Sequence, residues 1–127
     1  MICKPKVLLV EHDHHEAEIT SAALPHCDIV VATTVAAVKQ LLSAGYRFAV
    51  AFIDLVGFSN GEGVDALNLI KETPDLKDSP CYVMAGPAET EKALRCLERG
   101  AVKVLVKDPT MSSVRDIASI LSCPVEA

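Results

Sequence analysis

Phe48-Ala49-Val50-Ala51-Phe52-Ile53-Asp54 is the stretch on which the fold turns: six apolar residues running straight into a carboxylate. A strand with one wet face would alternate apolar with polar. An unbroken run reads instead as a strand covered on both sides, the pattern of a parallel sheet. A loop rich in Gly, Ser and Asn follows, from Gly57 to Gly63.

Outward from this run the pattern repeats. Val7-Leu8-Leu9-Val10 and Ile29-Val30-Val31-Ala32 precede it as short apolar runs; Cys81-Tyr82-Val83-Met84 and Val102 to Val106 follow. Helical stripes lie between. Ala17, Ile19, Ala22, Ala23 and Leu24 form the first, ended by Pro25. Val35, Val38, Leu41 and Leu42 form the second, which Thr33 or Thr34 can cap and Gly45 closes. Val64, Leu67 and Ile70 give the third, with Pro74 beyond it. Ala93, Leu94 and Leu97 give the fourth, stopped at Gly100, and Val114, Ile117, Ala118 and Leu121 the fifth. Five strands alternating with five helices imply a parallel sheet covered on both faces. With right-handed crossovers this is an open doubly wound α/β domain.

The composition agrees. At 127 residues the chain is the size of one domain, read as spanning 1–127 with no room for a DNA-binding or catalytic appendage. Half of it is hydrophobic, which excludes disorder. Seventeen acids against twelve bases leave −5, and five residues are aromatic with no Trp. Neither feature favours direct binding to nucleic acid. The apolar run at the start is too short for a signal peptide or a membrane span. Cys3, Cys27, Cys81, Cys96 and Cys123 are odd in number and scattered, so they read as buried small side chains in a reducing cytoplasm.

Ligands of such sheets sit at the carboxyl ends of the strands. There the sequence places Glu11, His12 and Asp13 after the first strand, Asp54 after the third, Ala85 and Gly86 after the fourth and Lys107 after the fifth. Carboxylates beside a lysine suit Mg²⁺ and an anion bound on its far side. The acidic first turn opposes a flavin or dinucleotide carrier, which needs a glycine-rich cradle there. A two-aspartate phosphatase would want an acid at Val56. His12, His14 and His15 at a helix start point in different directions, which disfavours one shared transition metal.

Over essentially its whole length the chain resembles the response-regulator receiver domains of two-component signalling, of the chemotaxis-regulator kind. The resemblance is carried by Lys6-Val-Leu-Leu-Val-Glu11, Phe52-Ile-Asp54-Leu, Gly63-Val-Asp-Ala-Leu-Asn-Leu-Ile-Lys71 and Gly100-Ala101 leading to Lys107. It implies a flavodoxin-like sheet of strand order 2-1-3-4-5. It also implies a phosphoryl group accepted on Asp54 from a sensor histidine kinase or phosphotransfer protein, and a state relayed to a downstream effector. Asp54 and Lys107 would carry the chemistry, Mg²⁺ would lie at Glu11, Asp54, Val56 and Asp13, and the domain would be regulatory rather than an enzyme. Homodimers through the fourth helix, fifth strand and fifth helix belong to the same expectation.

Several positions depart from the family. Its second acid after the first strand is His12, its hydroxyl after the fourth strand is Ala85, and its aromatic switch is Val104. The Lys-Pro step after strand five has become Lys107-Asp108-Pro109, where a cis bond before Asp108 would cost about 2.5–4 kcal/mol. Losing one carboxylate weakens a Mg²⁺ site without abolishing it, because water fills the octahedron. The alternative reading is a pseudo-receiver that docks partners independently of phosphate.

Overall fold

Residues 4–56, 62–106 and 111–119 are described by the computed structural model. They form β1 (Lys6–Val10), α1 (His14–Ala22), β2 (Asp28–Ala32), α2 (Val35–Ser43), β3 (Val50–Asp54), α3 (Glu62–Glu72), β4 (Cys81–Ala85), α4 (Thr90–Glu98), β5 (Lys103–Val106) and α5 (Ser112–Ser119), with a 3₁₀ turn at Pro87–Glu89. The sheet is parallel and runs β2-β1-β3-β4-β5.

The two faces of the sheet bury alternate residues of the same strands. Leu8, Val10, Ala51, Ile53 and Val83 pack on one side with Val38, Leu67, Ile70, Ala93 and Cys96. Val7, Leu9, Val50, Phe52 and Met84 pack on the other with Ala17, Leu24, Val114 and Ala118. β3, with both neighbours in place, is buried at all five residues.

Boundaries follow partners as well as composition. β3 opens at Val50 and not at Phe48, because its ladder with β1 begins at the pair Val7–Val50, just past Pro5. Asp54 is consequently the last residue of the strand, paired in register with Met84, and Ala85 is the last residue of β4. β2 is an edge strand, so Val31 is 38% exposed and the two-sided burial expected of its apolar run is absent. Thr34, not Thr33, caps α2, its hydroxyl accepting from the amide of Ala37 at 3.0 Å. Gly45 takes φ +89°, the left-handed turn that ends the helix.

Two helical faces differ from the hydrophobic pattern. In α1 the buried positions are Ala17 and Thr20, while Ile19 is 39% exposed. In α4 the buried positions are Ala93 and Cys96, while Leu94 and Leu97 face outward. A helix lying close on a sheet needs small side chains beneath it, and the leucines are the larger groups left over. Cys27, Cys81 and Cys96 are buried free thiols, as their scatter suggested; Cys3, Cys123 and Leu121 lie outside the described residues.

Phe52→Ala should lower the unfolding free energy by about 3–5 kcal/mol in a denaturant titration, whereas Leu94→Ala should change it by less than about 0.5. Comparable losses would return the leucines of α4 to the core. Burial pushes the thiols of Cys81 and Cys96 up to about 11. Both should therefore resist a maleimide at pH 7 in the native protein and react in denaturant, as read by mass spectrometry.

Candidate functional site at the carboxyl edge of the sheet

The two central strands deliver the site. β1 and β3 are neighbours in register up to Val10 and Ile53, so the next residues, Glu11 and Asp54, stand level on strands about 4.8 Å apart. Period-two alternation puts both on the side of Leu9 and Phe52. Both are buried, Glu11 at 2% and Asp54 at 0% exposure, and with Thr20 they are the buried polar residues of the described core.

Local hydrogen bonds hold this edge. The amide of Glu11 donates to Ala32 O at 3.0 Å, extending the β1–β2 ladder past the strand. The amide of Leu55 donates to Met84 O at 2.9 Å, extending β3 against β4. The amide of Val56 then donates to Asp54 Oδ1 at 2.9 Å, so the chain turns on the aspartate's own side chain. Burying an ionised carboxylate is costly without compensating partners, and two side by side repel each other. Hard oxygen donors in this setting fit a hydrated divalent cation such as Mg²⁺, which needs only one or two carboxylates from the protein.

The remaining expected positions are distributed differently. Asp13 is the exposed N-cap of α1, its Oδ1 accepting from the amide of Glu16 at 3.0 Å. That hydrogen bond, with the nearby His15 and His12, holds its carboxyl below the usual carboxylate range. Asp13 is thus turned to the helix, and among the described residues no group of three His, Cys, Asp or Glu side chains is set to hold a metal. His12 is exposed, and Val56 is 38% exposed beside Asp54. Lys107, the step Lys107-Asp108-Pro109 and most of the loop from Gly57 lie outside the described residues.

Ala85 and Val104, the altered switch positions, line a groove of about 440 Å³ together with Pro87, Leu94, Leu97 and Val106. Two of its lining residues are apolar and open to solvent: Leu94 is 55% and Val106 74% exposed. This face lies on the fourth helix and fifth strand, where the family resemblance implied homodimers. A sequence signal for it was there in Val102, Val104 and Val106, whose period-two spacing on an edge strand exceeds what α4 alone covers.

No protein-family model matches the chain, and no curated protein matches it by sequence. Solved structures do match its fold. A phosphorylated cyanobacterial phytochrome response regulator, RcpA, is similar at TM-score 0.75 and 18% identity over 91% of this chain and 89% of that one. A response regulator receiver domain from Rhodospirillum rubrum matches at 0.74 and 20% identity, covering 94% and 96%. The Mn²⁺-bound form of response regulator Rcp1 matches at 0.74 and 17% identity, covering 95% and 99%. Identities this low speak for architecture. In strand order, helix placement and extent, the chain has the fold of a response-regulator receiver domain.

Proposed function

We propose that this domain is a signalling receiver that accepts a phosphoryl group on Asp54. The observation that carries the reading is the pair of buried carboxylates, Glu11 and Asp54, level at the ends of adjacent central strands. The neighbours add support: one is described as phosphorylated and another as Mn²⁺-bound.

In this reading Glu11 and Asp54, with Val56 beside them, would hold Mg²⁺. When bound, it would neutralise charge on the phosphoryl oxygens. Asp54 attacks phosphorus with a carboxylate oxygen. The P–N bond of a phosphohistidine on a kinase or phosphotransfer protein breaks, its electron pair returning to the imidazole, which is left neutral or takes a proton. Asp54 becomes an acyl phosphate. Val56 N–H, donating to Oδ1, orients the carboxylate. We assign Lys107 to the phosphoryl oxygens and Asp13 to capping rather than to the metal. Ala85 and Val104 offer neither hydroxyl nor phenol, so a signal would pass without the family's usual switch. Asp54 alone accepts and releases the phosphoryl group in this reading, so the role is regulatory. Buried free thiols fit a reducing cytoplasm.

Calorimetry should detect Mg²⁺ binding, and beryllofluoride with Mg²⁺ should bind the wild type. Asp54→Asn should lose the beryllofluoride complex and Glu11→Gln should weaken Mg²⁺ roughly tenfold. Equal binding by Asp54→Asn would remove Asp54 as acceptor.

The apolar face around Val106 favours a second element of the reading, a protein contact that does not wait for phosphate. By helical spacing Glu91 and Glu98 flank Leu94, and Lys103 lies on β5 between Val102 and Val104. Val106→Glu should lower the sedimentation-derived dimer fraction with or without beryllofluoride; a wild type that is monomeric at high concentration would leave this face to an effector protein.

A further inference from the structure

We propose that Gly63 is a positioning residue for the Asp54 carboxylate, acting through Leu55. Gly63 is buried in the first turn of α3, and a Cβ there would overlap Leu55 Cδ2 and lie 3.7 Å from Ile53 Cγ2 and 3.8 Å from Leu55 Cα. The start of α3 thus rests directly on the two residues that flank Asp54. Leu55 is 1% exposed, and its amide is tied to Met84 O. The next amide, Val56 N–H, holds Asp54 Oδ1. The links are contiguous: no side chain at 63, close seating of α3 on Leu55, a fixed turn after Leu55, a fixed carboxylate at 54.

A methyl group at 63 displaces either α3 or Leu55. The overlapping atom is the tip of the Leu55 side chain, and core packing restricts its rotation, so the shift is shared with the Leu55 backbone. Displacement therefore passes to the turn, and with it to the hydrogen bond on Oδ1. A small misplacement of a nucleophile costs orders of magnitude in rate.

The test reads the turn and the chemistry separately in the full chain, the second resting on Asp54 being the acceptor. In Gly63→Ala, exchange of the Val56 amide followed by NMR should rise at least about tenfold while the amides of Leu8 and Phe52 keep their protection. Labelling of Asp54 by acetyl phosphate with Mg²⁺ should fall roughly 10²-fold. Adding Leu55→Ala, which clears the overlap, should bring both readings back toward wild type. A folded Gly63→Ala with wild-type Val56 exchange overturns the proposal, and so does a double variant no better than the single. If the wild type takes no phosphate, the assignment of Asp54 falls while the exchange data still decide the role of Gly63. If Gly63→Ala does not fold, Leu55→Ala alone must speed Val56 exchange; unchanged exchange there overturns the proposal as well.

Discussion

Complete burial of β3 is the constraint on which the rest of the molecule depends. Val50 to Asp54 have β1 on one side, β4 on the other and helices over both faces. A five-residue strand with no exposed atom to spare must be apolar throughout, and its partners must match it in length. The one ionisable residue it carries stands at its end, where backbone pairing gives way to a turn. The site exists because the most buried strand of the sheet terminates in a carboxylate.

Glu11 repeats that situation on β1. Two carboxylates on adjacent strands, both withdrawn from water, put a local demand for positive charge at the carboxyl edge. Asp13, one helical cap away, is committed to the amide of Glu16 and contributes nothing to that demand. In the function proposed above, a bound cation would answer that demand.

The other end of the sheet obeys a different balance. α4 is seated on β4 and β5 through Ala93 and Cys96, and the price of that close seating is that Leu94 and Leu97 remain outside. Ala85 and Val104 fill less volume than a hydroxyl-bearing and an aromatic residue would, and an apolar groove results. Ala85, Val104 and the exposed Leu94 and Val106 therefore belong to one piece of surface. What replaces the family's usual pair of side chains is space.

The alternation of apolar runs and helical stripes was enough to read the parallel α/β architecture, because period and burial are tied directly to side-chain hydrophobicity. A cap at Thr33 or Thr34, the turn at Gly45 and the buried thiols were legible for equally local reasons. Other features were not. Where β3 starts depended on the reach of β1. Which residues of α1 and α4 face inward depended on how closely each helix approaches the sheet, and hydrophobicity alone chose Ile19, Leu94 and Leu97 wrongly. At the site, the sequence by itself determined which carboxylates reach the carboxyl edge, since strand order and strand ends bring them there. Only the tertiary structure decided that Glu11 and Asp54 share a buried face while Asp13 caps a helix, and that Gly63 braces Leu55. Those outcomes rest on distances between segments far apart in the chain, which no local pattern of residues encodes.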